Sequence, residues 1–429
     1  MDHLSQVELP VVKPTAPPID GPGPLNGIRV VELAHEFTAF AGRLLADGGA
    51  DVILVEPPEG AAQRNHGPFA EDQPGPERSL SWWAENRSKR SVVADLATAD
   101  GRQLVADLIA SADVVLESTE AGYLADLGLD YDQTSATNAD LIHVAITPFG
   151  RDGVGGTHDH TDLTILARGG PMWSNGYDDH ELAPMRGRGN QGIRTACHFA
   201  VMSTLTALLA RGRHGGQFVD VSMVAANNVT TEFASYGWLS AQETVQRQTG
   251  RHATPRPSEP TQVLCGDGRY LNTGVPPRTG KEFTALLQWL KDLGIDEEFE
   301  LTALLEMGTE YESISLSMLA EDPLAGEVFG AGREALAFIA ANVSAHEVFV
   351  GLQQRGIAAG VIWSPDEMMT DPHFQERGFP VEVYHEELGR SVLYPGAPIR
   401  FTGSPMRAPV AAPRLGAHTD QIRDELASK

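Results

Sequence analysis

Gly27-Ile28-Arg29-Val30-Val31-Glu32-Leu33-Ala34 opens a segment that continues through Phe40 to Ala46 and closes on Asp51-Val52-Ile53-Leu54-Val55. The two outer runs are short, apolar and rich in β-branched residues, which suits strands buried on both faces. The middle run reads as a helix, so the segment is a βαβ unit. The pattern then repeats. Val92 to Leu96 reads as a strand, and Arg102 to Ala110 as a helix with Leu104, Val105, Leu108 and Ile109 on one face. Asp113 to Leu116 and Leu141 to Thr147 read as further strands, and Phe218 to Ser222 as another after Gly215-Gly216. Strands alternating with helices imply a mainly parallel sheet covered on both sides.

Working outward, residues 196–211 are apolar almost all round, which suits a helix held between the sheet and a further layer such as another subunit. After about residue 226 the texture changes. Thr261 to Cys265 and Arg269 to Thr273 flank Gly266-Asp267-Gly268 as a β-hairpin. Phe283, Leu286, Leu287 and Leu290 keep helical spacing, and Gly294 is a helix stop. Helical segments run on to about residue 355, and Pro-rich sequence from 391 to 413 reads as a strap returning to the first domain. The expected organisation is therefore an extended Pro-rich arm at 1–24 and a large Rossmann-like α/β domain at 25–225, completed by 385–429. A smaller α+β domain occupies 226–384.

The 429 residues hold 32 Lys and Arg against 58 Asp and Glu, a formal charge of −26. That balance repels phosphate backbones at long range and argues against nucleic acid as a partner. An apolar fraction of 41% with 21% charged residues is ordinary for a globular chain. We find no bilayer-spanning run and no secretory leader, and only Cys197 and Cys265 are present. A reducing, cytoplasmic setting without a membrane partner is the expectation.

Polar motifs are sparse. The turn after the first strand, Ala34-His35-Glu36-Phe37-Thr38-Ala39, lacks the glycines of a dinucleotide cradle, and no P-loop occurs. His158-Asp159-His160-Thr161-Asp162 offers metal ligands without partners at a fitting spacing, so no metal is expected, and a loop leading into a helix is the simpler reading. Asp162 precedes Leu163, Ile165 and Leu166, the place of a first-turn acid or cap. Asn86-Arg87-Ser88-Lys89-Arg90-Ser91 is a basic island that suits either ligand phosphates or a solvated turn, and Arg186-Gly187-Arg188-Gly189 is a second basic loop of the same kind.

Taken together, several segments resemble the class III CoA-transferases, a family that includes formyl-CoA, carnitine and bile-acid CoA-transferases and 2-methylacyl-CoA racemases. They are Pro24 through Leu33, Leu45 through Val52, Glu56-Pro57-Pro58, Asn86 through Ser91 and Leu127-Gly128-Leu129. Thr147 through Gly150, Gly216 through Ser222, Gly266-Asp267-Gly268 and Leu415 through Thr419 follow in the same order. The resemblance implies two interlocked chains, a CoA thioester as substrate and no permanently bound cofactor. In such chemistry an Asp carboxylate attacks an acyl-CoA to give a mixed anhydride, and the released thiolate then forms an aspartyl-CoA thioester. It also implies a nucleotide groove around Lys89, Arg90, Asp95, Leu96, Ser118 and Thr119.

The departures from the pattern carry as much as the matches. Counting back from Arg211, the nucleophile's place falls on Ile193, and Arg188 through Thr195 contains no acid. The racemase acid/base places read Thr161 and Ile193, which speaks against racemisation. Positions where the resemblance implies bases read Pro57, Glu120, Asp126 and Asp159. The expectation is a protein that moves CoA between carboxylic acids. It serves as the non-catalytic chain of a hetero-oligomer, with a paralogue bringing the Asp, or as a homodimer with Asp162 as a displaced nucleophile. A scaffold that binds no CoA and a metal-dependent hydrolase using His158 and His160 are the alternatives.

Overall fold

The computed structural model describes residues 21–153, 160–274 and 276–428. It divides into two compact units. One runs to Trp173 and takes in Met185–Leu239 and Asp366–Lys429; the other comprises Ser174–Pro184 and Ser240–Pro365. Residues 226–239 and 366–384, placed with the small domain in the sequence reading, thus cluster with the large unit, and residues 174–184 with the small one. The reason at 380–385 is pairing: Pro380–His385 forms an antiparallel hairpin with Arg390–Pro395. Val383 and Tyr394 of that hairpin pack with Leu54, Trp82 and Trp83.

In chain order the large unit contains β1 (Arg29–Leu33), α1 (Glu36–Asp47), β2 (Asp51–Glu56), α2 (Leu80–Asn86), β3 (Arg90–Val93), α3 (Ala99–Ala110) and β4 (Val114–Glu117). There follow the single-turn α4 (Tyr123–Asp126) and α5 (Tyr131–Thr134), then β5 (Ile142–Thr147), α6 (Asp162–Gly169), α7 (Gln191–His214) and β6 (Gln217–Ser222). The six strands lie in the order β3-β2-β1-β4-β5-β6 and every pair is parallel. This is the doubly wound arrangement, with its switch of direction between β1 and β4, where such sheets open a crevice beyond the carboxyl ends of the strands.

Alternation along the strands divides the core in two. Val30, Val52, Val114 and Val144 face α1 and α7. Val31, Ile53, Val92 and Val115 face α3 and the C-terminal helix Thr419–Ala427 through Leu104, Leu108 and Ile422. The third strand begins at Arg90, two residues before the expected start, because the Arg90 guanidinium is neutralised by Asp51 and Glu425 at 2.7 Å each and so sits comfortably in the ladder.

The apolar helix expected at 196–211 is α7. It applies Ile193, Ala196, Cys197, Ala200, Thr204 and Ala207 to the unit's interior and leaves Met202 and Leu209 56% and 87% exposed. Its length and mean hydropathy of 1.3 over a window of 18 residues would suffice to cross a membrane, although here its inner face packs on β5, β6 and α1. The strap also lies in this unit. Arg64, with no exposed surface, binds both oxygens of Glu56 at 2.7 and 2.8 Å and the Pro413 carbonyl at 3.0 Å.

In the small unit, Gln262–Leu264 and Tyr270–Asn272 form the expected hairpin, and Gly268 takes the left-handed conformation in its turn. The helix Gly280–Leu293 starts at a Thr279/Glu282 capping box and stops at Gly294 with φ 69°. Its face of Phe283, Leu286 and Leu290 meets Val328, Leu336 and Ile339 of the helix Pro323–Asn342.

Candidate active site

Two stretches of the large unit hold the residues singled out by the sequence. The first is the crevice at the ends of β1, β3 and β4, where Asp95, Leu96, Ser118 and Thr119 lie. The second is the start of α7.

The cations of the basic island are paired within the chain. Lys89 is 4% exposed, and its three ammonium protons have three acceptors: Glu32 Oε1 at 3.0 Å, Ala39 O at 2.8 Å and Asn86 Oδ1 at 2.8 Å. Nothing is left for a phosphate. Burial pushes Glu32 up and Lys89 down, and their mutual attraction opposes both shifts. Glu32 in turn constrains α1, since a Cβ on Gly42 would lie 1.8 Å from Glu32 Oε2. Arg87 is held by Asp47 Oδ2 and the Pro395 carbonyl, both at 2.7 Å. Arg90 spends its guanidinium on Asp51 and Glu425. Lys89 and Arg90, which the resemblance set at CoA phosphates, here cross-link β1, β2 and the C-terminal helix. A carboxylate in the middle of an apolar strand, Glu32, was the sequence signal for such a pair.

At the end of β4 the backbone remains usable. Ser118 is buried and its Oγ has no hydrogen-bond partner among the described residues. Thr119 donates from both N and Oγ1 to Glu117 Oε2, at 2.6 and 2.8 Å. Burial pushes Glu117 up, but the facing His143 ring and the bonds from Arg151 and the Thr119 amide outweigh it and hold its pKa at about 2. A carboxyl depressed in the folded state adds stability above its unfolded pKa and loses it as pH falls through the folded one. Unfolding free energy is therefore expected to drop by roughly 3 kcal/mol from this group as pH falls from 4.5 towards 2. Denaturant titrations across that range should show a shallower pH slope for Glu117→Gln, and equal slopes would contradict the assignment.

At the second place, Asp162 opens α6 and is 4% exposed. Its Oδ1 accepts the amides of Gly192 and Ile193 at 2.7 and 3.0 Å, and its Oδ2 accepts Arg186 Nη1 at 2.7 Å. The local cap of α7 is Asn190 with φ 56°, whose side chain makes no capping bond. Asp162 supplies that cap from another helix, favoured by the positive end of α7. Both carboxylate oxygens are engaged, which does not suit a displaced nucleophile. The first α7 amides are equally spent, so they do not serve as oxyanion donors. Ile193 is 3% exposed and belongs to the apolar core.

Other charges gather here. Glu85 is held by Gln63 at 2.7 Å and Arg194 at 3.1 Å. Partial burial pushes Glu36 up, His66 pulls it down, and the carboxylates of Glu85 and Asp162 push it further up. Of the metal candidates, His158 and Asp159 lie outside the described residues, and His160 packs its ring on Phe149. Among the described residues no group of three or more His, Cys, Asp or Glu is placed to hold a metal. Arg188 is exposed, whereas Arg186 was legible as a basic residue but not as the partner of Asp162.

Residues 25–419 match CoA-transferase family III. The chain is 29% identical over 395 residues to the succinyl-CoA:(R)-benzylsuccinate CoA-transferase subunit BbsE of Thauera aromatica, covering 92% of each chain. It is 30% identical over 414 residues to the succinate–glutarate CoA-transferase of Agrobacterium fabrum, covering 94% of this chain and 96% of the other. A CaiB/BaiF family protein from Brucella suis superposes with a TM-score of 0.74 at 27% identity, over 94% of this chain and 99% of that one. A doubly wound parallel sheet and a match spanning nearly the whole sequence agree, and the chain belongs to CoA-transferase family III.

Proposed function

We propose that this chain is the non-catalytic subunit of a heteromeric CoA-transferase that moves CoA from succinyl-CoA to a second carboxylic acid. The observation that carries the reading is the start of α7, where Asp162 has both oxygens committed and Ile193, the residue that the resemblance sets at the nucleophile's place, is a buried hydrocarbon. Thioester exchange through an anhydride needs a free carboxylate, so the partner chain brings it. Succinyl-CoA as donor is supported by relatives whose names include it, one at 29% identity being named as a subunit. The exposed outer face of α7, with Met202 and Leu209, supports a partner covering that side. The buried Ser118 Oγ, without a hydrogen-bond partner among the described residues, and the backbone near Asp95, Leu96 and Thr119 support a nucleotide groove that relies on main-chain groups in place of cations.

The test is turnover of the chain purified alone, with succinyl-CoA and a panel of dicarboxylates, beside the chain co-purified with a family member that carries the Asp. Alone it is expected to give no transfer and no covalent CoA, while the pair turns over. Robust transfer by the isolated chain, lost in Asp162→Asn, would overturn the reading. Calorimetry with CoA separates it from a scaffold that binds no CoA.

A further inference from the structure

The large unit holds a cavity of about 360 Å³ between α2 and the hairpin strand Arg390–Pro395, within the roughly 300–1,000 Å³ typical of ligand pockets. Trp83 and Tyr394 form its floor, and His385 braces them from behind. The His385 ring centroid lies 4.0 Å from that of Trp83 and 5.6 Å from that of Tyr394. The Tyr394 hydroxyl and His385 Nε2 share a hydrogen bond of 2.9 Å. The floor is therefore fixed before any ligand arrives. Leu80 and Leu393 flank it, 39% and 52% exposed, so apolar surface stands open to water around the mouth.

The charges at this cavity give the independent indication. Only Glu71 and Arg390 among its lining residues are ionisable side chains of full charge, and Glu71 is already held by Arg78 Nη2 at 2.7 Å. The acids of the hairpin turn, Glu386 and Glu387, are taken by Arg414 at 3.2 and 2.8 Å. Arg390 lines the cavity, is exposed, and makes no ion pair or side-chain hydrogen bond among the described residues. Its five guanidinium donors are thus unspent, in a planar fork that matches a carboxylate.

From these features we infer that this cavity binds a hydrophobic monocarboxylate, its apolar body on the Trp83 and Tyr394 floor and its carboxylate on Arg390. One cation beside an apolar lining leaves a second carboxylate without a partner, so a dicarboxylate is disfavoured. The cavity shares no residue with the start of α7 or with the groove at the end of β4, and the inference does not rest on the proposed CoA transfer.

Titration calorimetry on the full chain, without CoA, tests this with 4-phenylbutyrate as probe and 4-phenylbutyramide, butyrate and succinate as controls. Saturable binding of 4-phenylbutyrate is expected, with the amide about fivefold weaker and no measurable binding of butyrate or succinate. Arg390→Gln should bring acid and amide to the same affinity. Leu393→Ser should weaken both by about fivefold and leave their ratio unchanged. Both positions are exposed, so folding is not in question. Sedimentation should show the same oligomeric state with and without the acid. Absence of binding, a preference for the acid that survives Arg390→Gln, or affinity unchanged in Leu393→Ser would each overturn the assignment. So would dissociation of the protein by the acid, which would make the cavity an interface between copies of the chain.

Discussion

Lys89→Met is expected to destabilise the large unit by about 3–5 kcal/mol, the range found when one partner of a buried ion pair is removed. The substitution keeps the length of the side chain and its apolar stem. It takes the ammonium from Glu32, which has no exposed surface, and leaves the Ala39 carbonyl and the Asn86 amide oxygen without their donor. The double variant Lys89→Met with Glu32→Gln should recover a good part of the loss, because the surviving partner is then neutral. Urea unfolding of the wild type, both single variants and the double variant measures the coupling directly. If Lys89→Met instead folded with near-native stability and lost CoA affinity, the lysine would be a phosphate contact after all. The prediction matters because the same residue, read in sequence, stands in the middle of the most basic motif of an acidic chain.

The second large effect is expected at Asp162. Asp162→Ala should lower stability by about 2–4 kcal/mol, since it orphans the buried amides of Gly192 and Ile193 and frees Arg186. Asp162→Asn retains an oxygen for the two amides and loses both the charge and the acceptor towards Arg186, whose side chain is 33% exposed and can turn to water, so it should cost less than half as much. The ranking Ala worse than Asn identifies a helix cap; a nucleophile would be indifferent to it in stability and would lose all chemistry in both variants. If the proposed two-chain enzyme is assembled, the Asn variant should keep substantial turnover in it, whereas removal of the carboxylate proposed for the partner should abolish turnover. A covalent CoA adduct trapped on Asp162 of the isolated chain would contradict this account.

Much of the architecture was legible because it is written in local periodicity. The runs at 28–34 and 51–55 are continuous and β-branched, and they became adjacent strands of a parallel sheet. The alternation of Val30 with Val31 and of Val114 with Val115 assigns each to its own face. The hairpin around Gly266-Asp267-Gly268 and the helix ending at Gly294 were equally plain, for their punctuation lies in the backbone preferences of glycine. Where the reading drifted, a charge was responsible. Arg90 looked like loop and is the first residue of β3, because Asp51 and Glu425 neutralise it from 39 and 335 residues away.

The site divides along the same line. That Ile193 is a hydrocarbon is plain from the sequence, and the family resemblance is what sets it at the nucleophile's place. Partnership is not legible there. Whether Lys89 faces a ligand or Glu32, and whether Asp162 is free or caps α7, depend on which side chains meet across the fold. Sequence specifies the backbone path through hydrogen-bond periodicity and turn stereochemistry, which act over a few residues. The state of a charged group is set by desolvation and by neighbours within a few ångströms, and only the folded chain brings residues 32 and 89, or 162 and 193, that close.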